Sequence, residues 1–202
     1  MRIPVDVGGD GIDYLFWLQQ RNYSCLAACF CTVAWLTKGK IYSEEFARTL
    51  MEVTKAKLKR ERLGVATQAA AALAPPPDIR WDIEGLRSRY LKQALDDQLH
   101  LKTVRVKKDD MSEPLKSSGR RTPCVLLLQR PDGFHGVVVA NATPTHLVVL
   151  DPALGLVLTD KDEAELFATY RPHRFDPLRR TLELHGPSSG DIVALLKVPA
   201  AL

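Results

Sequence analysis

Near residue 100 the spacing of apolar residues changes, and that change constrains the fold more than any other feature of the chain. Before it, apolar side chains recur at helical spacing; after it, the segments "PCVLLLQ", "GVVVAN" and "HLVVLDP" are apolar, β-branched and of strand length. A helix buries a stripe and a strand buries alternate residues or, when covered on both faces, all of them. A helical first half followed by an antiparallel second half gives an α+β architecture of two lobes, with a cleft expected at their junction.

Local signals place the elements. Ser24 is the expected N-cap of a helix that starts at Cys25, with Leu26, Cys29, Phe30 and Val33 on one face and Lys38 then Gly39 as its stop. Ser43 is expected to cap a second helix with Glu44 and Glu45 in its first turn and Phe46, Leu50 and Val53 on its apolar face. A third is expected over Ile83 to Asp97, after the stretch "QAAAALAPPPDIRW", whose three prolines make it the candidate linker. In the second half "LKTVRV" alternates, "DDMSEPLKSSG" reads as a short helix or turn, "GLVLT" as a strand, "KDEAELFATY" as a short helix and "GDIVALLKV" as the closing strand.

The chain has 202 residues, 46% of them hydrophobic, enough for one core of ordinary size. The expectation is a single domain over 1–202, with a helical lobe over about 1–100 and a sheet lobe over about 101–202. A net charge of +4 without a basic, aromatic surface pattern gives no reason to expect nucleic acid as partner. The basic run "KAKLKRER" follows a helical pattern, where cations complement the negative end of the helix dipole. The N-terminal stretch has Pro4, Asp6, Asp10 and Asp13 before its short apolar segment, unlike a secretory signal. No segment reaches the roughly 18 apolar residues of a membrane span. A soluble protein is expected, cytoplasmic or exported without a Sec signal peptide, and Cys25, Cys29, Cys31 and Cys124 are expected as free thiols.

Cys25 is the residue with chemical potential. As the first helical residue it lies at the rim of its element, whereas Cys29 one turn later occupies the apolar face and suits packing. A metal site would need Cys25, Cys29, Cys31 and a histidine, but the C-x3-C-x-C spacing is not a zinc knuckle and Cys31 points to another face. No metal and no cofactor are expected. As a nucleophile Cys25 has a mechanism: a free thiol ionises near 8.5, and a helix N-terminus with an imidazolium beside it brings that down to between about 3.5 and 7.5.

Of His100, His135, His146, His173 and His185, His135 has the best context. If "HGVVVAN" and "HLVVLDP" pair across the loop "ATPT", Asn141 faces His146 and position 136 faces Asp151. Asp151 then lies within one residue of His135 on the next strand, where facing Cβ atoms are about 4.5–5.5 Å apart, and can fix its tautomer. Gln19, six residues before Cys25, can fold its amide back beside the thiol as an oxyanion donor together with a backbone N–H. Its neighbour Gln20 would point the opposite way. His146 is expected as a strand residue beside the turn, His173 and His185 as exposed loop residues, and Trp17, Trp35 and Trp81 as core or cleft wall.

Taken together, Gln19-x5-Cys25, His135 opening a strand, and "LDPALG" with Asp151 resemble the papain-like cysteine peptidases, most of all the bacterial double-glycine leader peptidases of bacteriocin exporters. The resemblance covers the first helix and roughly residues 100 to 170. It implies a papain-like two-lobe fold, with Cys25 as nucleophile, His135 as base and acid, Asp151 as its orienter and Gln19 in the oxyanion hole. Leader peptidases usually carry Gly after the nucleophile, where this chain has Leu26; "SCLAAC" is similar to the Cys-aromatic-Ala-Ala-Cys pattern of papain-like bacterial effector proteases. The implied partner is a protein or peptide substrate. Hydrolysis of a peptide or isopeptide bond leads, beside acyl transfer or deamidation through the same thioester, and beside a peptide-binding module without activity.

Overall fold

The computed structural model of the chain describes residues 2–4, 13–21, 24–63, 88–107, 110–130, 133–143, 146–160, 169–170, 173–176, 181–184 and 190–199. The candidate linker, the expected helix start at 83–87, the segment 161–168, Trp81 and His185 lie outside the described residues.

The first helix, α1 (Cys25–Lys38), is buried from Cys25 through Ala34 and again at Leu36. Its sequence allows this: Ala27, Ala28, Cys29, Cys31 and Ala34 are small and distributed around the helix, so neighbours approach from every side. Cys31, expected on a separate face, is therefore as buried as Cys29. The helix stops as expected. Gly39 takes φ 64, and the N–H groups of Gly39 and Lys40 bond the carbonyls of Trp35 and Ala34.

Helix α2 (Glu44–Leu63) begins where Ser43 Oγ accepts the Phe46 N–H at 3.1 Å. It runs through the basic stretch, which lies in its last turns and not after them. Its buried face is also not the expected one. Ala47, Met51 and Thr54 face inward, while Phe46 and Val53 are 41% and 59% exposed. The small Ala47 and Thr54 allow close packing on α1 and α3 (Ser88–Leu99) around the flexible Met51, and Phe46 instead stacks on Tyr42 with ring centroids 5.0 Å apart. From α3, Tyr90, Leu91, Ala94, Leu95 and Leu99 join the core. Asp96 Oδ1 accepts both the N–H and the hydroxyl of Thr103 at 2.7 Å, fixing the path from α3 into the sheet.

Strands β1 (Arg2–Pro4) and β2 (Asp13–Leu15) form a two-stranded ribbon. The main sheet is antiparallel. It contains β3 (Val104–Val106), β4 (Cys124–Arg130), β5 (Gly133–Ala142), β6 (His146–Asp151), β7 (Gly155–Asp160), β8 (Thr169–Tyr170), β9 (His173–Asp176), β10 (Thr181–Leu184) and β11 (Gly190–Lys197). The order is β10-β9-β7-β6-β5-β4-β11-β3, with β8 also on β11. Thr169 and Tyr170, expected at the end of a helix, and His173, expected in a loop, are strand residues.

Alternate side chains feed two cores. Val125, Leu127, Val138, Ala140, Val148 and Leu150 pack under α1, while Leu126, Leu128, Val137, Val139, Leu147 and Val149 pack on the other face with Met111 and Leu115, the latter from α4 (Ser112–Lys116). Both faces are covered, which explains why these strands read as continuous apolar runs.

The β5–β6 register differs from the sequence expectation. Asn141 faces Val148 and Ala142 faces Leu147; a bulge between Val139 and Asn141 then sets Val139 opposite Val149 and Val138 opposite Leu150. The bulge inserts one residue into β5. Continued to the end of β6, this register puts position 137, and not 136, opposite Asp151. The difference matters chemically because a one-residue slip exchanges the two faces of a strand. In the expected register His135 and Asp151 would have lain on opposite faces. In the observed one they are diagonal neighbours on the same face, a separation an imidazole spans.

Candidate active site

The site forms where three chain segments meet: the start of α1, the residues just before it, and the ends of β5 and β6. Cys25 opens α1 and is 6% exposed. Ser24 occupies the N-cap position, but its hydroxyl does not cap the helix. It donates to the Arg21 carbonyl at 2.7 Å and accepts the Arg21 N–H at 3.3 Å. The first amides of α1 are thus left without a side-chain cap.

The segment before α1 is tied down at three points. Trp17 N–H bonds Thr32 Oγ1 on α1 at 3.3 Å, Gln19 N–H bonds the Pro152 carbonyl at 2.9 Å, and Gln20 N–H bonds Glu44 Oε2 on α2 at 2.8 Å. The middle bond attaches Gln19 to the turn that carries Asp151. Gln20 is exposed, whereas the Gln19 side-chain oxygen is buried and has no hydrogen-bond partner among the described residues.

His135 is 6% exposed and Asp151 fully buried. Their contact is direct: His135 Nε2 lies 2.8 Å from Asp151 Oδ1. The same carboxylate oxygen accepts the N–H groups of Ala153 at 2.8 Å and Leu154 at 3.3 Å, which holds it in the turn between β6 and β7. His135 also hydrogen-bonds the Cys25 thiol. With Nε2 committed to Asp151, Nδ1 is the ring nitrogen left for sulfur. The structure therefore brings Cys25, His135 and Asp151 into one chain of contacts and holds Gln19 beside it through Pro152.

The electrostatics follow from these contacts. Burial would pull the His135 imidazolium down, but the Asp151 and Cys25 hydrogen bonds and the charges of both partners outweigh it, raising His135 from 6.5 to about 9. Asp151 moves the other way. Burial alone would raise it, yet the hydrogen bond and charge of His135, the Ala153 N–H and the Arg130 guanidinium hold it below its ordinary value.

Burial pushes the Cys29 thiol well up, helped by Cys25 and Asp151; burial and Glu44 take Cys31 to about 12; burial also raises Cys124. These three thiols stay protonated near neutral pH, which suits packing and not nucleophilic attack. All four cysteines are free, and among the described residues no group of three or more His, Cys, Asp or Glu is placed to hold a metal ion.

Two residues that the sequence reading did not single out also contribute. Gly136, next to His135, lies against Leu26, next to Cys25: a Cβ at position 136 would be 2.5 Å from Leu26 Cδ2. The missing side chain on β5 makes room for the leucine that follows the thiol. Arg130, at the end of β4, places Nη2 3.6 Å from Asp151 Oδ2. A glycine in a strand and an arginine closing a strand pair are common enough that neither carries a signal by itself.

A helix start bearing a thiol, packed on an antiparallel sheet bearing a histidine and an aspartate, is the architecture of the papain-like peptidase fold, and this chain has that fold. In particular it is similar to the crystal structure of the peptidase domain of Streptococcus ComA, a bi-functional ABC transporter involved in quorum sensing: TM-score 0.54 at 15% identity, over 92% of this chain and 98% of that one. It is also similar to a double glycine motif protease from an AMS/PCAT transporter, solved with its leader peptide, with TM-score 0.51 at 16% identity over 92% and 91% of the two chains. The Pseudomonas avirulence protein AvrPphB aligns over 94% of this chain and 98% of its own at 10% identity and TM-score 0.42. No protein-family model and no curated protein matches the sequence. At these identities the likeness is one of fold. No helix among the described residues is long and apolar enough to cross a membrane.

Proposed function

We propose that the protein is a papain-like cysteine peptidase that cleaves a peptide or isopeptide bond through a thioester on Cys25. The observation that carries this reading is His135 joined on one side to the thiol of Cys25 and on the other to the buried carboxylate of Asp151. A histidine raised to about 9 holds its proton at neutral pH, and the imidazolium is the partner that a cysteine nucleophile requires. The sulfur attacks the substrate carbonyl carbon. The resulting oxyanion is held by the Gln19 side-chain amide and a backbone N–H at the uncapped start of α1.

Imidazolium Nδ1–H then protonates the leaving amine as the C–N bond breaks, leaving an acyl thioester and neutral His135. Water attacks the thioester, His135 takes its proton, and the carboxylic acid departs as the thiolate re-forms. Asp151 holds the ring throughout and stabilises its charged form. The double glycine proteases among the fold relatives make a peptide the substrate class to test first.

The test is a search for new protein N-termini generated by the wild-type protein and absent with Cys25→Ala or His135→Ala, each shown to be folded. The same preparations are treated with iodoacetamide at pH 6, where an ordinary thiol reacts slowly. Fast labelling with matching neo-termini is the expected result. Neo-termini that persist in Cys25→Ala overturn the reading, and fast labelling with peptide binding but no cleavage replaces hydrolysis by another use of the thiol.

A further inference from the structure

Arg130 is a cation beside Asp151, as His135 is, and the proposed mechanism does not use it. It closes β4, opposite Gly133 at the opening of β5, and shares with Leu128 the strand parity that faces His135. Its side chain is only 12% exposed, and Asp151 is fully buried. The 3.6 Å separation of Nη2 from Asp151 Oδ2 is too long for a hydrogen bond, and Nε and Nη2 have none. The contact is one of charge.

A largely buried guanidinium is costly unless its charge is compensated, and here the compensating group is the carboxylate that holds the histidine. Around Asp151 stand Cys29 from α1, His135 from β5, Arg130 from β4 and the amides of Ala153 and Leu154 from its own turn. Cys29 stays a neutral thiol and adds no charge. A thiolate, an imidazolium and a carboxylate sum to one net negative charge, and the Arg130 guanidinium sets a positive charge against it.

We propose that Arg130 is a positioning residue of the site: its guanidinium supplies a counter-charge to the Asp151 carboxylate and through it supports Cys25 and His135 as an ion pair. This rests on the peptidase reading above. Arg130 acts on Cys25 and His135 through Asp151 and through its field, and touches no substrate. The direction of its effect on Asp151, holding the carboxyl down, agrees with this role.

The test reads the rate of Cys25 alkylation by iodoacetamide against pH, which needs no knowledge of the substrate. An ion-paired thiol gives two steps, one as the pair forms and one as the imidazolium loses its proton. Removing a nearby cation disfavours the thiolate and favours the imidazolium. In Arg130→Met both steps should therefore move to higher pH, by up to roughly one unit, the lower end of what a directly adjacent charge exerts. Arg130→Lys keeps the charge and should keep the wild-type profile. A folded Arg130→Met with unshifted steps overturns the proposal, as does Arg130→Lys shifting as far as Arg130→Met.

If Arg130→Met does not fold, the double variant with Asp151→Asn decides, because it leaves neither charge buried alone. Folding restored in the double variant supports the pairing; folding still lost assigns Arg130 a packing role and overturns it. A wild-type profile with the single step of an ordinary thiol near pH 8.5 would instead sink the peptidase reading, and the two failures are thus distinguishable.

Discussion

Replacing Gly136 by alanine would set a methyl carbon 2.5 Å from Leu26 Cδ2 and 3.5 Å from Cys29 Sγ. Two carbon atoms rest at about 3.5–4.0 Å, so the overlap is about 1 Å or more. Leu26 is 5% exposed and packed in the core, which leaves it little room to turn aside. The strain of overfilling a packed core is typically about 1–3 kcal/mol. At roughly 2–4 °C per kcal/mol for a chain of this size, Gly136→Ala should melt roughly 2–12 °C lower than wild type.

The functional cost should be larger than the stability cost. Leu26 follows Cys25 and Gly136 follows His135, so relieving the overlap moves α1 away from β5 along the direction that separates thiol from imidazole. A misplacement of about 1 Å can cost about 10²-fold in rate. Thermal melting and the pH 6 alkylation rate of Cys25 are the assays. Shortening the partner in Gly136→Ala/Leu26→Ala should recover most of the alkylation rate while leaving stability low, since the leucine's own burial is lost. Wild-type melting and labelling in Gly136→Ala would refute the reasoning.

Other expectations concern the remaining site groups. One equivalent of iodoacetamide should be taken up at neutral pH, all of it on Cys25 by peptide mass spectrometry, because Cys29, Cys31 and Cys124 are buried and shifted upward. Gln19→Ala should lower turnover of any identified substrate about 10²–10³-fold while Cys25 still alkylates normally, and Gln20→Ala should do neither; normal turnover in Gln19→Ala removes it from the oxyanion site. Asp151→Asn should lose no more activity than His135→Ala, and the double change should be little worse than His135→Ala alone; full activity in folded Asp151→Asn would remove it from the site.

Stability should follow the two shifts. His135, raised from 6.5 to about 9, contributes stability that is complete below 6.5 and lost as pH climbs through 9. Asp151, lowered, contributes stability above its ordinary 3.8 that is lost on further acidification. Urea midpoints should decline between pH 6.5 and 9 in wild type and hold steadier there in His135→Ala; parallel curves would count against the His135 assignment.

What the sequence by itself determined is local in origin. Turn chemistry and apolar period act within a few residues, so α1 could be read from Cys25 to its stop at Gly39, and strands β4 to β7 and β11 from their apolar, β-branched runs, whereas β8 to β10 could not. Cys25, His135 and Asp151 could be nominated because each lies at or near the end of such an element, and Gln19 from its spacing to Cys25. Which face of α2 turns inward was not legible: Phe46 and Val53 are the more apolar choice, but Ala47, Met51 and Thr54 fit closer to α1 and α3, and closeness depends on the neighbours.

Tertiary structure decided the rest. The bulge between Val139 and Asn141 brings Asp151 to the same face as His135, a matter of one residue that alternation along a single strand does not specify. The pairing of Arg130 with Asp151, and of Leu26 with Gly136, exists only once α1, β4, β5 and β6 have converged. Secondary structure answers to forces between residues near in sequence, whereas charge compensation and close packing depend on distances between residues far apart in it, which the fold alone sets.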